Sequence, residues 1–152
     1  MKTHTYAARV QWTAANERGT TSYNAYSRDH AIAAAGKPEI LASSDPAFRG
    51  DETRYNPEEL FVASLSSCHM LWYLHLCALN GITVVDYRDH ASGAMEEDGG
   101  SGQFVEVHLR PVVTILQTSQ RTKALSLHDA AHHSCFIARS VNFPVRIEAT
   151  IA

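Results

Sequence analysis

The chain has 152 residues, 45% of them hydrophobic and 19% charged, with a formal net charge of −3. That length suits a single domain over residues 1–152, and that composition supports a packed core rather than a disordered chain. The 13 Lys and Arg are scattered, which argues against a nucleic-acid partner, because phosphate binding needs a dense basic cluster.

The first residues, Met1–Trp12, carry no apolar run with a cleavage pattern, so no secretory leader is expected. Tyr6, Ala8, Val10 and Trp12 alternate with Ala7, Arg9 and Gln11, which predicts a strand. Asn16–Gly19 reads as a turn and Thr21–Ser27, with Tyr23 and Tyr26, as a second strand. Residues 28–40 hold a weaker third strand. Residues 42–55, rich in Ser, Asp, Gly and Pro, form a loop.

At Asn56 the pattern changes. Asn56 is a good N-cap, Pro57 suits the first helical position, and Glu58 and Glu59 suit the positive end of the helix dipole. The helix is predicted to run to about Asn80, with Gly81 as C-cap, a length of ~37 Å at 1.5 Å per residue. No Asp, Glu, Lys or Arg lies between Leu60 and Leu79. A helix without a charged face is enclosed on most sides, and one chain of this size struggles to enclose it, so a partner subunit is expected. The stretch is long enough to cross a bilayer. It holds His69, His75, Ser64, Ser66 and Ser67 and lacks a basic flank, so it reads as a buried helix of a soluble protein with no membrane partner.

Residues 82–94 and 103–116 read as a hairpin with an acidic, glycine-rich tip at Glu97–Gly102, and Pro111 marks an edge or a break in the return strand. A second helix is predicted over about Gln120–His133, then a helical turn over Cys135–Val141. Val145, Ile147, Ala149 and Ile151 alternate with polar residues as a last strand. Strands, long helix, strands, helix, strand is an α+β order.

The three cysteines are Cys68, Cys77 and Cys135. An odd number without a leader argues against a secreted disulfide scaffold and for a reducing, cytoplasmic setting. Cys68 and Cys77 are nine residues apart, so on one helix they point to roughly opposite sides and do not pair. Cys77 reads as core filler. Cys135 follows His132, His133 and Ser134 at a junction of helical segments, where free backbone N–H groups can stabilise a thiolate.

The run Asn56-Pro57-Glu58-Glu59-Leu60-Phe61-Val62-Ala63-Ser64-Leu65-Ser66-Ser67-Cys68 resembles the signature of the OsmC/Ohr family of peroxide-detoxifying proteins, on its OsmC-like side. Cys135, at the end of the second helix, matches the family's second cysteine. The resemblance implies an α+β fold of antiparallel sheets around a long buried central helix plus a second helix, in an intertwined homodimer. It implies a thiol-dependent peroxidase that reduces organic hydroperoxides, with hydrogen peroxide as a secondary candidate substrate, through a Cys68 sulfenic acid. Cys135 would resolve that acid and an external dithiol would regenerate the pair, with no metal or bound cofactor. A peroxidase thiol must be ionised, and lowering a cysteine from ~8.5 to ~6 takes roughly 3.4 kcal/mol, against the opposing effect of burial. A cation close to Cys68 is therefore expected. By the family's pattern it is an Arg of the preceding loop: Arg49 matches best by placement and Arg54 competes. Glu58 matches the carboxylate that orients this Arg. Glu58 and Cys68 lie ten residues apart, so on one straight helix they are ~15 Å apart. Either the helix breaks between them or Glu58 serves the partner's Cys68.

His69, His132 and His133 depart from the family's pattern. With Cys68 and Cys135 they include every ligand type of a zinc site, and His128 and His132 share a helix face, although no C-x₂-C pair is present. The alternatives to the enzyme are thus a Cys/His metal-binding protein and a non-catalytic small-ligand-binding protein of the same fold. Trp72, Tyr73, Phe61, Met70 and Phe136 are candidates to line an apolar pocket near Cys68.

Overall fold

The computed structural model describes all 152 residues. They fall into two compact units, Met1–Leu60 and Phe61–Ala152. The α+β organisation expected from the sequence is present: three three-stranded sheets and two α-helices.

The first unit carries an antiparallel sheet in the order β1 (Arg9–Trp12), β2 (His30–Ala33), β3 (Ile40–Ala42). Thr21–Ser27, expected as a strand, is a run of turns and bends. The cause is Arg28. Its guanidinium lies 4.7 Å from the Tyr23 ring centre and 3.9 Å from that of Tyr26, and it donates to both residues' carbonyls. Stacking and hydrogen bonding wrap the segment around one side chain, so the two tyrosines meet a cation and not a neighbouring strand. The 42–55 loop is tied at its ends, where the Ser43 N–H donates to the Tyr55 carbonyl at 2.9 Å. Within it Pro46–Phe48 form a 3₁₀ turn capped by Asp45, whose carboxylate accepts from the Ala47 N–H at 2.7 Å. Gly50 has no room for a side chain: a Cβ there would sit 1.4 Å from the Ser44 carbonyl oxygen.

The long helix α1 is Pro57–Leu79. Asn56 caps it as the sequence predicts, and reciprocally: the Glu59 N–H donates to Asn56 Oδ1 at 2.8 Å and the Asn56 N–H donates to Glu59 Oε2 at 3.2 Å. The buried residues, Leu65, His69, Tyr73 and Cys77, recur every four positions as one stripe. Leu71 and Leu79 point outward, 62% and 70% exposed. One chain therefore covers the charge-free run of this helix, Leu60–Leu79, on one face only.

In the second unit the long hairpin expected over 82–116 is divided in two. β4 (Val84–Asp89) pairs with β7 (Pro111–Ile115), and β5 (Ser92–Asp98) pairs with β6 (Ser101–Leu109). The division falls at Pro111, which cannot donate to a ladder and opens β7 as a buried residue. The β5–β6 turn is Gly99-Gly100, at φ 58° and 86°, which suits the right-handed twist of a two-residue hairpin. After α2 (Arg121–Ser134) the expected last strand is also split. β8 (Val145–Ile147) joins β6 and β9 (Thr150–Ile151) joins β7, both in parallel. The sheets are thus antiparallel in their hairpins and parallel at this edge, a correction to the wholly antiparallel expectation. Tyr73 and Cys77 of α1 pack with Val113, Leu127, Ala131 and Ile151 in one core cluster. Leu65, Val107 and Leu109 form a second, with Phe61, Phe104 and Phe143 against it.

Candidate active site

Cys135 ends α2. Its backbone is extended, φ −67° and ψ 112°, and its N–H donates to the His132 carbonyl at 3.3 Å. The turn that follows, whose 3₁₀ part is Ala138–Ser140, brings the Ala138 N–H to 3.4 Å from the Cys135 sulfur. Cys135 is buried at 1% exposure and Cys68 on α1 is half-buried. The Cys68 thiol is the neighbour that Cys135 meets across the two helices, close enough to raise the Cys135 thiol. The fold thus brings together two cysteines that are far apart in sequence.

The free N–H expected to stabilise a Cys135 thiolate is present, but it does not prevail. Burial pushes the Cys135 thiol up to about 11, and the Cys68 contact adds to that. The Ala138 and Ile137 N–H groups pull the other way and are outweighed. Cys77 lies in the core against Tyr73, and burial pushes its thiol up as well.

The histidines are arranged in a way that the sequence did not reveal as a pair. His69 belongs to the inward stripe of α1 and His128 to the buried face of α2. His69 Nε2 lies 3.0 Å from His128 Nδ1, with both residues buried and the rings 13° from parallel. The four-residue recurrence of Leu65, His69, Tyr73 and Cys77 was the available signal. His132 is half-buried, and His133 Nδ1 is 2.7 Å from the Asp129 carbonyl oxygen. No three His, Cys, Asp or Glu side chains converge as a metal-ligand set. Cys68, His69, His132, His133 and Cys135 therefore do not form the tetrahedral cluster that a zinc site needs.

Arg49 and Glu58 are placed in the first unit. Arg49 closes the 3₁₀ turn in the left-handed region, φ 66°, and is the chain's one non-glycine residue with positive φ. Its guanidinium lies 5.9 Å from the Tyr23 ring centre, and no carboxylate is within ion-pair distance of it. Arg54, the competitor, is balanced by Asp29 at 3.6 Å and Asp51 at 3.8 Å. Glu58, in the first turn of α1, does not pair with Arg49, and its Oε2 is buried without a partner. α1 runs unbroken through Glu58 and Cys68, so the first of the two arrangements left open by their spacing, a broken helix, does not occur.

The structure gives contacts for four of the five candidate pocket residues. Tyr73 is core and Phe61 packs with Phe104 at 5.1 Å. Trp72 and Phe136 meet edge-on at 5.4 Å. Trp72 is one turn beyond Cys68, and Phe136 is next to Cys135 and 66% exposed.

A model of the OsmC-like protein family matches residues 50–150. No curated protein matches the chain. Among solved structures, an OsmC-like protein of unknown function from Vibrio cholerae is 35% identical, covers 97% of this chain and 100% of its own, and superposes with a TM-score of 0.87. An organic hydroperoxide resistance protein from Elizabethkingia anophelis is 17% identical over 100% of this chain and 99% of its own, with a TM-score of 0.69. One from Bacillus subtilis is 21% identical over 97% and 98%, with a TM-score of 0.59. At these identities the last two show the likeness of the fold alone.

Proposed function

We propose that this chain, which belongs to the OsmC-like protein family, is a cysteine-based hydroperoxide reductase working through Cys68 and Cys135. The observation that carries the reading is the meeting of a half-exposed thiol on α1 with a buried thiol at the end of α2. A peroxidase of this kind needs one sulfur that a peroxide can reach and a second held beside it. Two of the structural relatives are named for resistance to organic hydroperoxides.

In the proposed cycle the Cys68 thiolate attacks one peroxide oxygen. The O–O bond breaks, the alkoxide leaves and takes up a proton, and Cys68 becomes a sulfenic acid. The Cys135 thiol then attacks the Cys68 sulfur. The S–O bond breaks, a disulfide forms, and water departs. An external dithiol reduces the disulfide by exchange. The apolar Trp72–Phe136 edge next to both thiols suits an organic hydroperoxide.

Cys68 acts in this scheme with a cation from a second copy of the chain. Arg49 is the better source than Arg54, because Arg54 is already balanced by two carboxylates and Arg49 by none. On an unbroken α1, Glu58 and its own Cys68 are ~15 Å apart, so Glu58 belongs with the partner's Cys68. The unpartnered buried oxygen of Glu58 and the outward Leu71 and Leu79 support a homodimer. We place the protein in the cytoplasm, where a dithiol reductant is at hand.

Peroxide consumption with a dithiol reductant tests the reading, using cumene hydroperoxide and hydrogen peroxide. Cys68→Ser should abolish turnover. Cys135→Ser should prevent the disulfide and leave Cys68 oxidisable. A wild-type protein that consumes neither peroxide defeats the proposal. Sizing with light scattering tests the dimer, and an active monomer defeats it.

A further inference from the structure

Beyond the apolar packing of Tyr73 and Cys77 on Ala124, Leu127 and Ala131, two pairs of chemically reactive or polar side chains join α1 to α2, and the peroxide chemistry uses only one of them. The first is between Cys68 and Cys135. The second starts one residue further along α1, where His69 Nε2 meets His128 Nδ1 at 3.0 Å. His69 is 1% exposed and His128 3%. On the α2 side His128 and Cys135 are seven residues apart, about 10 Å along the helix. Adjacent residues of α1 thus hold α2 at points two turns apart. Apolar packing is non-directional, whereas a hydrogen bond between two buried rings requires one rotation and one slide of α2 on α1.

As packing alone, two buried imidazoles are a poor choice. Their bond uses one nitrogen of each ring, and His69 Nδ1 and His128 Nε2 are buried without a partner. Each such orphan costs about 1–3 kcal/mol, which an apolar pair of the same shape avoids. Burial also keeps the rings uncharged. It holds His69 down at about 4, with His132 of α2 adding to the effect and Asp89 of β4 opposing it. His128 is held at about 3, by burial and then by His69. Tyr73 stacks on His128 from α1 at 3.8 Å. At neutral pH one ring therefore donates and the other accepts.

We propose that the buried His69–His128 hydrogen bond positions the Cys68–Cys135 couple, pinning α2 against α1 so that the two sulfurs stay within bonding reach, and thereby sets how fast and how completely the disulfide closes. This rests on the disulfide chemistry proposed above. His69 and His128 are positioning residues and neither touches the peroxide. In the closing step the S–O bond of the Cys68 sulfenic acid breaks and the S–S bond forms. The Cys135 thiol proton leaves with the hydroxide as water.

The test compares three forms of the full chain: wild type, His128→Ala, and the double variant His69→Gln/His128→Asn. In the double variant the Gln amide nitrogen stands in for His69 Nε2 and the Asn oxygen for His128 Nδ1, which remakes an uncharged donor–acceptor bond. One arm measures the Cys68–Cys135 disulfide equilibrium in glutathione buffers by mass spectrometry and needs no peroxide. The other follows loss of dimedone-trappable sulfenic acid after an equivalent of hydroperoxide. His128→Ala should lower the disulfide equilibrium constant about tenfold or more, a potential about 30 mV less negative. It should slow closure by a similar factor and leave the first oxidation of Cys68 within about twofold of wild type. The double variant should recover both to within about threefold of wild type.

The proposal is overturned if His128→Ala matches wild type in both arms. It is also overturned if the double variant, with wild-type circular dichroism, is as impaired as His128→Ala. Where His128→Ala does not fold, the double variant decides: recovery supports the clamp and a tenfold loss, on the order set above, removes it. A wild type that reacts with no hydroperoxide defeats the peroxidase reading, and the glutathione arm still decides the clamp.

Discussion

At the scale of single residues, Arg49 shows structure and proposed function pulling apart. An L-residue in the left-handed region carries roughly 1–2 kcal/mol of strain that glycine does not, and Arg49 sits there at φ 66°. Such strain points towards a role only when the side chain is otherwise unused, and here no carboxylate balances the guanidinium. Arg49→Gly should therefore raise the stability of the first unit by about 0.5–1 kcal/mol, read as a higher denaturant midpoint. It should also slow the oxidation of Cys68 about 10²-fold or more, read by stopped-flow with cumene hydroperoxide. A variant that is both stabilised and fully active would remove Arg49 from the mechanism. Sequence favoured Arg49 over Arg54 only by its placement in the family's pattern. What separates them is three-dimensional: Asp29 reaches Arg54 from a distant part of the chain, and no local pattern announces that. The elevated Cys135 thiol was illegible for a similar reason. A helix junction can be read from sequence, but the burial that outweighs its N–H groups cannot.

At the scale of elements, α1 was the most legible feature, because its signals are local and agree with one another. Asn56, Pro57, the acidic first turn, the charge-free run and Gly81 all fall within one contiguous stretch. The structure adds the reciprocal bond from Glu59 to the Asn56 N–H. Asn56→Ala removes the Oδ1 that accepts from the Glu59 N–H, at a residue only 5% exposed, and keeps the backbone N–H that donates to Glu59; it should destabilise the protein by about 1–2 kcal/mol in denaturant titration. Loss of less than ~0.3 kcal/mol would mean that the cap is redundant. Thr21–Ser27 failed as a strand because its tyrosines carry β propensity, yet Arg28 recruits both rings and both carbonyls. Pro111 did mark a break, and the two ladders on either side of it belong to different sheets. The parallel edge made by β8 and β9 is a long-range pairing, and alternation within Val145–Ile151 contains no information about its direction.

At the scale of the whole molecule, the buried groups set how stability changes with pH. His69 and His128 have folded-state values of about 4 and about 3, below the ~6.5 of a free imidazole. The lowered values mean that their contribution is fully present above ~6.5, where both states are neutral. It is lost as pH falls through the window from there to about 4 and about 3, because the unfolded chain takes up protons that the folded chain refuses. Each proton costs about 1.4 kcal/mol per pH unit, so His69 alone accounts for about 3 kcal/mol at the end of its window. The two rings share a hydrogen bond and titrate as a pair, so their losses do not simply add. Cys135 acts at the other end. Its thiol is raised to about 11, so its contribution is whole below ~8.5 and lost as pH rises through about 11. Under reducing conditions the wild type should give a bell-shaped curve of unfolding free energy against pH. The acid limb should flatten in His69→Gln/His128→Asn, while the alkaline limb persists. Trp72 lies in the second unit, and its fluorescence in a Trp12→Phe background reports that unit alone. The two forms differ only at these two positions, so the difference between their acid limbs reports the histidine pair. If the wild type and the double variant lose stability in parallel between pH 6.5 and about 4, the pair is not held uncharged by burial, and the uncharged state assigned to it at the α1–α2 seam fails with it.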